Sequence, residues 1–312
     1  MPPTAQYKGY LCVIAAALLW ASSGAAGKGL LSQGMSLLDL VQIRITFAAL
    51  LLGAVLLLKT KGTFKIQLVD IPRLLFLGLF MALNNATYFY AISNIQVAAA
   101  ILLQYMAPII VTLYTLFFWG ERMGKFKALA LALALGGCYL VVGGYNLRLL
   151  ELNREGILGG VGAAFCFAAY TLLGERAMER NSPWTVLEYA MLFAALFWHL
   201  FMEPFRYIRA GFSLEQWGWL LYIALAGTVL PFGLYLLGVS RIRSTRAIIT
   251  ATMEPIFAGL ISFLFLGEAL EPLQALGGAL VIAAVVLLQL GKEHEQALIW
   301  EKKKMRTLRR ES

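Results

Sequence analysis

Glu254 is the one charged residue in the stretch 247–267, and Pro255 follows it directly. On insertion scales an acidic side chain at mid-helix in a bilayer lies about 2.5–3.5 kcal/mol uphill, so a residue placed there by default has a task. Its short stem is too deep in the apolar stretch to reach an interface. A carboxyl withdrawn from water favours its protonated form, which makes Glu254 a candidate proton acceptor. The alternative is a structural partner, with Arg246 two turns back on the same helical face.

Other polar residues in apolar surroundings fall into a few clusters. Asn84 and Tyr88 lie four apart, hence on one helical face, and so do Thr250 and Glu254. Gln104 sits one turn before Pro108, and Tyr235 follows Thr228 and Pro231. Trp20 shares a stripe with Ser23, Gly24 and Gly27, and Tyr170 shares one with Phe167, Thr171 and Gly174. Such groups can hold a small polar solute through hydrogen bonds and ring faces. Each can equally glue helices together, at about 0.6 kcal/mol and at most about 2 kcal/mol per interhelical hydrogen bond. The glycines beside Trp20 can likewise do no more than permit close packing. The substrate-binding candidates are Trp20, Ser23, Asn84, Tyr88, Gln104, Tyr170, Tyr235, Thr250 and Glu254. Pro108 and Pro255 each remove a helical hydrogen bond near mid-span, as a gating hinge or as a packing kink.

Weaker signals accompany these. Asp39, Arg44 and Glu188 read as structural, near span ends or partners. His199 and Glu203 lie four apart, as a proton relay or an interfacial pair. Metal-ligand spacing, a glycine-rich phosphate loop and a nucleophile elbow are absent from the sequence, and there are only two histidines. No cofactor, metal or enzymatic activity is expected.

The elements that position these residues are membrane spans. Charged residues make up 14% of the 312 residues and hydrophobic ones 60%, outside the range of soluble domains. Between Arg73 and Glu121 lie 47 residues without a charge, enough for two spans of about 20 residues each. Ten helices are expected, at 9–30, 37–58, 73–92, 96–118, 126–144, 156–177, 185–205, 215–237, 246–266 and 272–290. With the N-terminus inside, 20 of the 26 Lys and Arg residues fall on the cytoplasmic side and five outside. That asymmetry follows the positive-inside rule and places both termini in the cytoplasm. It also accounts for the net charge of +9 without a nucleic-acid partner. Cys12, Cys138 and Cys166 all fall within spans and imply no disulfide framework.

The chain also repeats itself. Shifted by 147 residues without a gap, Gly9 falls on Gly156, Tyr88 on Tyr235, Met106 on Met253, Pro108 on Pro255 and Gly120-Glu121 on Gly267-Glu268. Each copy holds five spans, an odd number, so the second enters the membrane from the opposite side. The expected fold is an all-α polytopic membrane protein of ten transmembrane helices in two inverted five-helix repeats. The first repeat is residues 1–147, the second 148–291, and 292–312 form a basic cytoplasmic tail, helical on the lipid surface or solvated. The first span resembles a signal peptide superficially, but its pairing with 156–177 argues for its retention. Gly136-Gly137, Gly143-Gly144 and Gly277-Gly278 make spans 5 and 10 suited to packing or to a homodimer.

Two stretches carry a family resemblance: Ala107-Pro108-Ile109-Ile110 through Trp119-Gly120-Glu121-Arg122, and Glu254-Pro255-Ile256-Phe257 through Leu266-Gly267-Glu268. With Trp20-Ala21-Ser22-Ser23 in the opening helix, they resemble EamA domains of the drug/metabolite transporter superfamily over about residues 9–290. The resemblance implies a secondary transporter of small organic solutes, often an exporter of amino acids or related metabolites. It further implies a central cavity formed by both halves, in spans 1, 3, 4, 6, 8 and 9. The first copy has Ala107 where the second has Glu254. The expected function is alternating-access export across the bacterial inner membrane, with protons as the coupling ion. The alternatives are a membrane scaffold or sensor acting through the basic tail, and an intramembrane enzyme built on His199 and Glu203.

Overall fold

The computed structural model describes residues 3–59, 64, 66–95, 97–121, 123–141, 143–145, 154–204, 206–266, 271–288 and 290. The tail at 292–312, the Gly267-Glu268 pair and most of the stretch 145–155, where the two expected repeats meet, lie outside the described residues.

The described residues are helical, with no strand among them. In chain order the helices are α1 (Pro3–Ser32), α2 (Leu37–Lys59), α3 (Ile71–Asn94), α4 (Val97–Gln104), α5 (Ala107–Phe118) and α6 (Lys125–Val141). There follow α7 (Arg154–Ala177), α8 (Pro183–Phe201), α9 (Leu214–Ala224), α10 (Leu230–Ile242), α11 (Ser244–Ala251) and α12 (Glu254–Leu266). The last is α13 (Pro272–Leu288). Among the described residues seven stretches are long and apolar enough to cross a membrane: Gln6–Leu31, Leu37–Leu58, Leu68–Tyr88, Ala100–Phe118, Arg154–Ala177, Pro183–Phe201 and Leu214–Ile242. Helix lies in each of the ten expected stretches, but not as ten unbroken rods.

Prolines set the interruptions. Without an N–H, Pro108 cannot bond back to the Gln104 carbonyl, nor Pro255 to that of Ala251. The chain tightens just ahead of both: Met106 N–H donates to Leu103 O at 3.0 Å and Met253 N–H to Thr250 O at 3.2 Å. A third proline, Pro231, leaves the Gly227 carbonyl without its helical donor. There the helix widens into a π-turn at Leu225–Val229, joining α9 to α10. α8 stops at Phe201 instead of running to 205, because Met202 is extended and the residue before Pro204 is disfavoured in helix. Glu203 therefore lies beyond the helix that carries His199.

Helix crossings pass over small residues. α1 packs along α10 and α12, and α7 along α3 and α4. A Cβ on Gly238 would lie 2.2 Å from Val13 Cγ2 and 3.1 Å from the Gly9 carbonyl, so the α1–α10 backbones meet there. On the other side Gly159 faces the Ala91 backbone nitrogen at 2.9 Å from its notional Cβ. Gly137 of α6 and Gly277 of α13 face each other's carbonyls at 2.7 Å by the same measure, so these glycines are engaged within the chain.

Candidate functional site

The interruptions bring a charged cluster to the middle of the bundle. Arg44 on α2 donates through Nη2 to the Gly227 carbonyl at 3.3 Å, the acceptor that Pro231 frees. Its Nε donates to Thr228 Oγ1 at 3.2 Å, while that hydroxyl donates to Ile223 O at 2.9 Å. Ser23 of α1 packs on the same turn: a Cβ on Gly227 would lie 2.4 Å from Ser23 Cβ. Only glycine lets α1 approach so closely.

Glu254 is the first residue of α12, directly after the break, where the helix N-terminus favours negative charge. Its Oε2 accepts from the Tyr105 hydroxyl at 2.9 Å, and that hydroxyl lies 3.5 Å from the carbonyl freed by Pro255, Ala251 O. The cation acting electrostatically on Glu254 is Arg44, whereas Arg246 acts on Tyr10 of α1. Tyr88 on α3 lies within electrostatic reach of both Arg44 and Glu254. Gln104 Nε2 donates to Asn84 Oδ1 at 3.4 Å, tying α4 to α3.

Arg44 and Glu254 act on each other without touching. No ion pair within 4.0 Å joins these two described residues. Both keep part of their surface accessible, as do Trp20, Asn84, Tyr88 and Gln104. Arg44 Nη1 and Glu254 Oε1 have no hydrogen-bond partner among the described residues, and neither atom is sealed in.

An aromatic group adjoins this cluster. Trp20 meets Phe232 at 5.1 Å, Tyr235 at 5.5 Å and Phe167 at 6.1 Å between ring centroids. Tyr170 meets Phe232 edge-on at 5.7 Å. Tyr235 is fully buried, its hydroxyl 2.8 Å from Thr171 Oγ1. The Trp20 indole N–H and the Tyr170 hydroxyl are buried without a protein partner among the described residues. Thr250 is buried and back-bonded to Arg246 O at 2.8 Å. Ser23 donates to Trp20 O at 3.0 Å.

At one end of the bundle two carboxylates converge on the first turn of α11. Glu175 accepts from Ser244 N–H at 2.7 Å, from the Ser244 hydroxyl and from Arg243 Nε at 3.0 Å. Glu121 accepts from Thr245 Oγ1 at 2.7 Å and from Lys127 Nζ at 2.5 Å. Partial burial alone would raise the Glu121 carboxyl, but the donors from Lys127, Thr245 and Thr115 outweigh it and hold Glu121 below the ordinary carboxylate range. The Arg176 guanidinium lies 4.4 Å over the Trp119 ring at the same end.

The structure gives partners to two groups read as minor. Glu203 pairs with Arg209 at 3.8 Å, and His199 Nδ1 lies 2.8 Å from the Ala195 carbonyl of its own helix. Arg44, read as structural and near a span end or partners, bonds to Gly227 and Thr228 on another segment and also lies within the field of Glu254. The signal was present: a lone cation in an apolar span, and a proline four residues after Gly227 that frees a carbonyl for it.

The EamA-like transporter family matches the chain twice, at residues 7–143 and 154–290. An uncharacterized inner membrane transporter, YicL, of Salmonella typhimurium is 30% identical over 91% of this chain and 95% of its own length. The threonine/homoserine exporter RhtA of the same species is 28% identical over 77% of this chain and 79% of its own length. A crystal structure covering 93% of this chain and 98% of its own superposes with a TM-score of 0.73 at 18% identity, a likeness of fold. The helical membrane architecture and the double family match lead to one conclusion: the chain belongs to the EamA-like transporter family and is an integral membrane transport protein, not an enzyme.

Proposed function

We propose that the chain exports a small amino-acid-like metabolite across the bacterial inner membrane, as a secondary active transporter working by alternating access. The observation that carries this reading is the pair Arg44 and Glu254. Two opposite charges lie within each other's field, partly accessible, each with an unfilled hydrogen-bonding atom. A zwitterion complements that arrangement: its carboxylate suits the Arg44 fork and its ammonium suits Glu254. Asn84, Gln104 and Tyr88 supply polar contacts, and Trp20 offers a ring face. The names of relatives support transport in general, and RhtA supports export of an amino acid in particular.

Glu254 also serves as the coupling carboxyl. A proton and an ammonium group compete for the same oxygen, so loading one displaces the other. The two copies, related by a pseudo-two-fold axis in the membrane plane, expose this site to either side in turn. The breaks before Pro108 and Pro255 act as the hinges. Both termini lie in the cytoplasm, with the Glu121 and Glu175 contacts closing the cytoplasmic end.

Inside-out vesicles containing the purified protein test the reading with labelled threonine, homoserine and a wider metabolite panel. Accumulation driven by a proton gradient is the expected result. Movement of no solute above protein-free vesicles would end the transport proposal. Glu254→Gln should abolish gradient-driven accumulation yet leave counterflow, and unchanged accumulation would remove Glu254 from coupling.

A further inference from the structure

We infer that Glu188 is a second proton-carrying carboxyl, separate from the substrate site, which loads its proton when α2 and α8 are in contact and releases it when they part. Glu188 lies in the second turn of α8 and is only 2% exposed. Its Oε2 is buried with no hydrogen-bond partner, and no ion pair reaches it among the described residues. The opposite wall is backbone: a Cβ on Gly53 of α2 would lie 2.8 Å from Glu188 Oε1 and 3.5 Å from its Cδ. Glycine at this point lets α2 close over the carboxyl, and any side chain would displace it. The slot is thus shaped around the acid and offers it no donor.

An ionised carboxylate in such a slot has one oxygen sealed from water and no counter-charge, a cost well above that of the neutral acid. The helices packed against α8 supply no relief. Burial alone acts on Glu188, and no charge reaches it from Asp39 and Arg44 on α2, from Arg73, Tyr88 and Tyr90 on α3, or from Tyr235 and Arg241 on α10. Tyr189 on its own helix is the titratable neighbour that feels it, and the Tyr189 hydroxyl is turned to the Phe64 carbonyl at 2.9 Å. In the structure Glu188 therefore carries its proton. Losing that proton requires water or a donor at the α2–α8 seam, so release is tied to its opening. This contrasts with Glu254, whose ionised form has the Tyr105 hydroxyl and the Arg44 charge for support.

The consequence for transport rests on the exporter reading, whereas the protonation itself does not, and two measurements keep them apart. The first is infrared spectroscopy of the protein in vesicles at neutral pH. Wild type should show a protonated-carboxyl stretch that is missing from Glu188→Gln and retained in Glu254→Gln. A wild-type spectrum that Glu188→Gln leaves unaltered overturns the proposal, whether or not any solute is transported. The second is gradient-driven accumulation of threonine, with melting curves confirming that Glu188→Gln is folded. Accumulation should fall at least tenfold while threonine exchange without a gradient persists. Full accumulation in that variant would show that Glu188 takes no part in coupling.

Discussion

The broken helices α4/α5 and α11/α12 share a register and differ in chemistry. Both break across two residues, Tyr105-Met106 in one and Thr252-Met253 in the other, and both resume one residue before a proline. Yet Ala107 opens α5, whereas Glu254 opens α12. Tyr105 sends its hydroxyl across to Glu254, while its counterpart Thr252 bonds back to Ile249 O at 2.6 Å in its own helix. The starts differ too. Ser244 and Thr245 of α11 are held by Glu175 and Glu121, and the corresponding residues of α4 are Val97 and Ala98, which have no hydroxyl to offer. Repetition supplies two matching weak points; divergence places the charge and the latch at one of them.

The comparison breaks most severely at Arg44, which answers the charge on α12. A guanidinium holding a substrate carboxylate through two charge-assisted hydrogen bonds contributes about 3 kcal/mol or more, so Arg44→Ala should cut efflux by about a hundredfold at equal protein level. Arg44→Lys keeps the charge but not the fork that spans Gly227 and Thr228, and should recover part of that loss. Efflux from vesicles at matched expression measures both.

A smaller effect separates Tyr105 from Thr252. A hydrogen bond to a charged group contributes about 1.5–3 kcal/mol, so Tyr105→Phe should weaken solute binding by roughly tenfold or more. Thr252→Val removes only a local back-bond and should change binding by less than about twofold. Binding isotherms giving equal losses for the two would erase the asymmetry. The latch gives the smallest effect. Because Glu121 is held below its usual value, the stability it lends is present above about pH 4.5 and is lost as the pH falls through its lowered value. Wild type should therefore lose melting temperature on acidification below that point more steeply than Glu121→Gln.

Much of the fold was legible because membrane spans advertise themselves by apolar length and prolines by their missing N–H. The placement of Met106-Pro108 on Met253-Pro255 pointed to a kink in each span, and both spans are broken just ahead of those prolines. Span limits were less legible: the end of α8 at Phe201 depended on Pro204, a signal weaker than the apolar run leading to it. In the site, Glu254, Asn84, Gln104 and Trp20 were visible as polar or aromatic groups in apolar runs. The partners of Arg44 were not legible, because one of them is a carbonyl 183 residues away, exposed by a proline on another helix. The surroundings of Glu188 were hidden for a related reason, since nothing in the sequence says that Gly53 closes over it. Tertiary pairing of this kind leaves no local period to read.

The zwitterion claim at Arg44 and Glu254 is met most directly by competition with single-pole analogues. Purified protein in vesicles would be loaded with labelled threonine and challenged with unlabelled threonine, with an amino alcohol lacking the carboxylate, and with a hydroxy acid lacking the ammonium. The account predicts that threonine competes and that each one-pole analogue competes at least tenfold more weakly, the carboxylate-free one losing only part of its disadvantage in Arg44→Lys. Equal competition by all three in the wild type would contradict it.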